Sequence, residues 1–314
     1  MPNLIQKPVS ATSVDSVQFA NHALSITIAK SAGPRILAFT SKTGVNPFAE
    51  LPGAKISVDG FPAFTVYGGH RFWLAPERPE VTYIPDDDEV EINPSDANLI
   101  ITQLPVGDPA IQKRIQLSFP LPDEPVVVLE HTAQNLGRRA ASYAPWAITQ
   151  FKTGGIAILP QAQDSFLDEA GLMPNRSLVS WPYTDLQHPK FHIANDLVWL
   201  EADLTAPFKF GVANSRGWLA YVYKSLVFVK YAPYYVGSTY LDFGASSQCY
   251  CNEAFLELET LGPQLEIAPE ALLQHSEIWE IIEERDLALD DPRKLVADLD
   301  LDRRAQSRLE LLEA

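Results

Sequence analysis

Apolar residues in this chain gather in short strand-length runs, several alternating at every second position and closed by Pro, Gly, Asn or Asp, and no helical stripe of ten residues comes between those up to residue 151. Side chains of a strand alternate between two faces, so a chain of this kind buries its apolar half by packing sheets face to face. The run Ile111 to Phe119 is the clearest, with Ile111, Ile115, Leu117 and Phe119 opposite Gln112, Arg114, Gln116 and Ser118. Similar runs at 24–29, 98–103, 126–133, 143–151, 197–202, 208–212, 218–223 and 227–231 predict an all-β, antiparallel sandwich rather than βαβ units. The spacing predicts a long loop over 178–191 and one more strand, or a helix, over 277–282. Beyond Asp290-Asp291-Pro292 charged residues mix with Leu, and Pro at a first helical turn predicts a helical tail. The expected organisation is therefore a sandwich domain over 1–285 and a charged helical tail over 286–314 that packs on the sandwich or frays, with residues beyond about 290 dispensable to the fold.

The nine residues Phe255 to Pro263 read F-L-E-L-E-T-L-G-P. Alternation sets Leu256, Leu258 and Thr260 on one face and Phe255, Glu257 and Glu259 on the other. Two carboxylates on one side of a mid-chain strand cannot sit in a dry core without partners, so they face water or line a cleft.

Charge and motifs narrow the chemistry. Forty acids against 24 bases give a net charge of -16, which repels phosphate backbones and speaks against a nucleic-acid partner. The N-terminus lacks the basic start and apolar run of a signal peptide, no stretch is long and apolar enough to span a bilayer, and a cytoplasmic protein is expected. Cys249 and Cys251 are two apart on one strand face, too far for easy disulfide closure and too few for a zinc site, so they read as free thiols. Nucleophile-elbow, P-loop, zinc-protease and dinucleotide patterns are all missing from the sequence, which leaves acid-base chemistry without cofactor or metal.

For that chemistry the candidates are Glu257 and Glu259, and His70 with Arg71 in the segment Tyr67-Gly68-Gly69-His70-Arg71-Phe72-Trp73. Gly pairs permit backbone shapes that other residues cannot hold, and an irregular segment here would let His70 and Arg71 share one site. In a regular strand the two would point to opposite faces. His131 reads as a core or edge histidine, His275 as surface polarity, and Asp86-Asp87-Asp88 as a solvated acidic turn. Aromatic residues beside irregular segments, among them Trp73, Trp146, Trp181, Tyr183, Tyr234 and Tyr235, offer flat rings for the apolar faces of sugars.

Four segments carry a resemblance. Gly33-Pro34-Arg35-Ile36, Gly68-Gly69-His70-Arg71, the Asn135-Leu136-Gly137 turn leading to Trp146-Ala147-Ile148-Thr149, and Leu258-Glu259-Thr260 together resemble the galactose-mutarotase-like (aldose 1-epimerase) superfamily over about residues 20 to 285. The resemblance implies a supersandwich with a sugar site on a concave face. It assigns Glu259, in its Leu-Glu-Thr context, the role of base towards the anomeric hydroxyl, and it makes His70 the nearest match to a sugar-contacting histidine. The family's second histidine, the general acid in an Asn-His segment of a middle strand, has no counterpart in Tyr143 to Phe151.

The expected activity is a cofactor-free sugar epimerase or mutarotase-like isomerase acting on a small carbohydrate. Glu259 and His70 are its candidate catalytic groups, and Arg71, Glu257, Trp73, Trp181, Lys230 and Asp242 its candidate binding groups. A carbohydrate-binding module without proton chemistry is the alternative, and a uronic-acid sugar lyase is a weaker one. Convergence of His70 and Glu259 on one sugar ring separates the first reading from the second.

Overall fold

The computed structural model describes residues 3–5, 14–95, 98–162, 173–283, 288 and 290–313, so the expected boundary at 285/286 lies outside the described residues. Among them, strands assemble into two antiparallel sheets of twelve and ten strands. From Arg35–Ser41 to its far edge the first sheet runs in the order Arg35–Ser41, Phe64–Ala75, Ala141–Phe151, Leu256–Leu261, Ser247–Cys251, Phe208–Val212 and Leu178–Ser180. The middle of the second runs Ile156–Pro160, Trp218–Tyr223, Leu226–Tyr231, Leu272–Ile282, Val126–Asn135 and Ile111–Ser118. The all-β antiparallel sandwich read from the alternation is the architecture found.

Between the sheets lies the main core. Phe39, Phe48, Phe151, Phe228 and Trp279 meet there with most of their rings edge to face at centroid separations of 5.1 to 5.7 Å, a geometry that suits the aromatic quadrupole. A second apolar layer covers the outer face of the ten-stranded sheet. Helices Pro292–Leu299 and Leu301–Leu309 bury Leu295, Val296, Leu299, Leu301 and Ala305 against Trp218, Val229, Tyr231 and Ile278. Asp291 caps the first helix by accepting from the backbone N–H groups of Arg293 and Lys294. Arg216 and Trp218 donate to Asp302, and Arg308 to Glu280, tying the second helix to the sheet.

Three local expectations change. Tyr67 to Trp73 is part of one strand, Phe64–Ala75, and the glycines bend it without turning the residues beyond them to another face. Tyr67, Gly68 and Gly69 take φ values of 59°, 92° and 67°. A Cβ on Gly68 would lie 2.1 Å from the Ala49 carbonyl oxygen and one on Gly69 2.0 Å from that of Ile36, so only glycine lets the neighbouring backbones approach. The ends of 178–191 are strands, Leu178–Ser180 and Phe191–Ile193, rather than loop, whereas the strand expected over 277–282 is found as the end of Leu272–Ile282. Asp87 and Asp88 are exposed as a solvated acidic turn would have them, Asp87 accepting from the Tyr67 hydroxyl at 2.7 Å, but Asp86 is a tether that accepts from the fully buried Arg35 at 2.7 Å.

Candidate functional site

Register decides which residues meet. Ile148 lies opposite both Arg71 and Glu259, Gln150 opposite Glu257, and Gln248 opposite Glu259, while Tyr250 pairs with both Glu257 and Lys209. Because opposed residues share a face, Arg71, Trp73, Trp146, Gln150, Glu257, Glu259, Gln248 and Lys209 all point to the outer face of the twelve-stranded sheet. His70, Phe72, Thr149, Leu258 and Thr260 point inward.

Above that outer face lies a cleft of about 450 Å³, lined by Glu77, Pro79, Tyr83, Trp146, Trp181, Lys209 and Asp242 among others. Glu259 is one layer below. Its Oε2 accepts from Trp146 Nε1 at 2.7 Å and from Lys209 Nζ at 3.0 Å, and its Oε1 is buried without a partner. Burial raises the Glu259 carboxyl to about 7, Lys209 opposes the rise, and Glu257 adds to it. Burial pushes the Lys209 ammonium down, but Glu259 and Glu257 outweigh it and leave its pKa raised. The ammonium also sits 4.8 Å from the ring of Trp181 and 5.0 Å from that of Trp146, within cation–π reach.

Glu257 forms the second centre. Its Oε1 accepts from Arg71 at 2.8 Å and from Gln150 at 2.9 Å, and the Arg71 guanidinium lies 4.0 Å from the Trp73 ring centroid. Arg71 Nε and Nη1, Gln150 Oε1 and Gln248 Oε1 are buried without partners. With Glu259 Oε1 they make a mixed set of buried donors and acceptors on one face. Trp73 is buried beneath Tyr83 and Trp146 rather than open to the cleft, whereas Trp181 is half-buried on its wall. Asp242 lines the cleft and accepts from Gln248 at 2.7 Å.

His70 and Lys230 are on the other side of the sheet. His70 is fully buried between the sheets, its Nδ1 2.9 Å from Thr149 Oγ1 and its Nε2 2.8 Å from His131 Nε2. His131 Nδ1 contacts the His275 carbonyl at 3.0 Å, and a carbonyl only accepts. His131 Nε2 is therefore the acceptor of the His70 Nε2 proton, and Thr149 donates to His70 Nδ1. Both rings are neutral, since burial lowers His70 well below its ordinary value and His131 to about 4. The expected convergence of His70 with Glu259 does not occur, because the strand is regular from His70 onwards and the two side chains leave opposite faces.

Lys230, also fully buried, is 2.9 Å from Glu277 and donates to the carbonyls of Ala147 and Leu258. It braces the strands that carry the site from behind and has no access to a ligand in the cleft. Thr260, His275 and Trp279 complete the network around Glu277, so His275 is a core residue rather than surface polarity. His70, His131 and Glu277 offer donor atoms within 4.8 Å of one another, the donor types of a metal site. Here the two imidazoles satisfy each other and Glu277 already holds a cation, so a metal would have to displace Lys230.

Lys209 is the site residue that sequence reasoning missed. The signal was present in Phe208-Lys209-Phe210, a lone cation between two core rings and hence on the opposite face from them.

An antiparallel two-sheet sandwich with a polar cleft on the outer face of one sheet defines the class. In particular, the chain has the galactose-mutarotase-like fold. A galactose mutarotase-like protein from Lactobacillus casei superposes with a TM-score of 0.54 at 11% identity, covering 85% of this chain and 100% of its own. A candidate aldose 1-epimerase from Escherichia coli K12 gives 0.53 at 11% identity over 85% of this chain and 98% of its own. A TPR-domain-containing protein from Parabacteroides distasonis gives 0.61 at 13% identity over 88% of this chain, which spans about half of that protein, 48%. No protein-family model matches the sequence. No curated protein is similar to it at the sequence level. Among the described residues no helix is long and apolar enough to cross a membrane.

Proposed function

We propose that the cleft binds a sugar and that the protein exchanges its anomers by acid-base chemistry, with Glu259 as base and Lys209 as acid. The observation that carries this reading is the Glu259 carboxyl. It is raised to about 7, bonded through Oε2 to Lys209 and Trp146, and unpartnered at Oε1. A base is most useful with a pKa near the working pH, and a carboxyl left at about 4.3 would be a weak one. In the reaction Glu259 takes the proton of the anomeric hydroxyl while Lys209 protonates the ring oxygen. The ring opens to the aldehyde, the C1–C2 bond rotates, and reversal of both transfers closes the other anomer. Arg71, Glu257, Gln150 and Asp242 offer hydroxyl partners, and Trp146 and Trp181 offer ring faces. Proteins named as galactose mutarotase-like and as a candidate aldose 1-epimerase share the fold, which supports the substrate class.

A second reading, a carbohydrate-binding module, is favoured by two observations, the first being that His70 and Glu259 leave opposite faces of the sheet and do not converge on one ring. The second is that Glu259 has no exposed surface, because Trp146 and Lys209 cover it. Catalysis requires Lys209 to swing from Glu259 to the ring oxygen when a sugar enters. Anomer exchange followed by saturation-transfer NMR over a panel of free sugars separates the two. Acceleration abolished by Glu259→Gln supports catalysis. Binding without acceleration leaves the module.

A further inference from the structure

Phe243 is the most exposed large apolar residue among those described, at 93%. A single exposed ring is ordinary on a protein surface, but the backbone that presents this one is not. Asp242 and Phe243 both have left-handed φ and ψ, 51° and 51° for the first and 56° and 32° for the second, and Gly244 comes next at φ 89°. Left-handed backbone is unfavourable for a residue with a Cβ; Asp offsets part of that with local hydrogen bonds, and Phe has none to make.

The run is not loose chain. Leu241 before it packs on the cluster of Trp73 and Trp146 beneath the cleft, and Ala245 after it is fully buried. Asp242 itself is held by Gln248 at 2.7 Å, and the Ala245 N–H closes back on the Asp242 carbonyl at 3.2 Å. An unfavourable conformation fixed from both ends, with an apolar ring at its apex, is the pattern of a functional rather than a packing residue. Asp242, the residue before Phe243, lines the cleft. Trp181 also lines the cleft, and Tyr183, two residues on, is 48% exposed.

We propose that Phe243 is an outer stacking subsite, so that the ligand has at least two sugar rings, the reducing-end ring in the cleft and the next ring against Phe243. The inference rests on the reading of the cleft as a sugar site. It is consistent with the chemistry proposed there. Anomer exchange needs the free anomeric carbon near Glu259, so the rest of a longer glycan leaves through the mouth. A flat ring held away from the protein pairs with the C–H face of a pyranose, which has no charge to recognise.

The test compares disaccharides with their own reducing-end monosaccharides: maltose, cellobiose and lactose against glucose, galactobiose against galactose, mannobiose against mannose. Dissociation constants are measured by protein-observed NMR titration on the full chain. At least one disaccharide is expected to bind about fivefold or more tightly than its monosaccharide, a ratio within reach of one aromatic stack. Phe243→Ala should remove that advantage and leave monosaccharide affinity and the thermal midpoint unchanged, and Phe243→Tyr should keep it. A monosaccharide bound as tightly as every disaccharide built on it, or an advantage that survives Phe243→Ala, overturns the subsite and leaves the cleft reading standing. A protein that binds no sugar in the panel overturns both.

Discussion

Glu259 Oε2 lies 3.0 Å from Lys209 Nζ beneath the cleft, while the other carboxylate oxygen has no partner. One ion pair thus serves two ends. It keeps the ammonium charged against its burial, and it leaves the carboxyl short of full compensation, so that its proton is held to about 7.

The pH dependence has a definite sign. As the proposed base Glu259 acts deprotonated, so the rate of anomer exchange should rise as pH rises through about 7. Lys209 acts protonated, and its raised pKa keeps the alkaline limb above the ordinary lysine value. Glu259→Gln retains shape and loses the base, and it should lower the rate roughly 100-fold and erase the acid limb while sugar affinity stays within several-fold. A pH–rate profile of both proteins under saturating sugar checks this, and an unchanged rate in the variant removes Glu259 from the mechanism.

Lys209→Met separates the cation from the shape. The ammonium opposes the rise of the Glu259 pKa, so its removal should move the acid limb to higher pH as well as slow the reaction. A variant that is slower but keeps its limb at the wild-type position would show that Lys209 acts only as the acid and does not tune the base.

What the sequence made legible was parity. F-L-E-L-E-T sorts Glu257 and Glu259 from Leu258 and Thr260, and the sorting holds in the sheet. The same rule, applied to His70 and Arg71, puts them on opposite faces, and they are. The expectation failed where it set that rule aside for the glycines, whose role is to admit the carbonyls of Ala49 and Ile36, residues remote in the sequence. Register between distant strands is equally hidden. Lys209 meets Glu259 only because Ser247–Cys251 lies between their strands, a pairing that no local pattern encodes.

His70 now belongs to the core, and its substitution should report stability rather than chemistry. His70→Ala opens a cavity and strands the Nε2 of His131, and it should cost about 2–4 kcal/mol in denaturant unfolding. Lys230→Met leaves Glu277 without its cation and should cost about 3–5 kcal/mol, the usual effect of breaking a buried pair by one partner. The fraction that stays folded should turn over sugar within about threefold of wild type, because neither side chain reaches the cleft. A large fall in kcat with unchanged stability in either variant would return that residue to the site.

The C-terminal helices give the last prediction, and here packing argues against the dispensability expected from charge alone. Leu295 is fully buried, and Leu299 and Leu301 nearly so, against a sheet face that carries Trp218, Tyr231 and Ile278. Removal of residues 291–314 would bare that face, an apolar patch of the kind that drives association. It would also leave Glu280, 3% exposed, without the Arg308 guanidinium at 2.7 Å. The truncated chain should therefore aggregate or lose its cooperative transition. Leu295→Ala, which keeps both helices, should cost about 2–5 kcal/mol. Leu295→Ala is the sharper measurement, since a soluble truncation could still fold differently. A change under about 1 kcal/mol for this variant, well below the usual cost of emptying a core leucine site, would mean that the helices rest on the sheet without contributing to its stability.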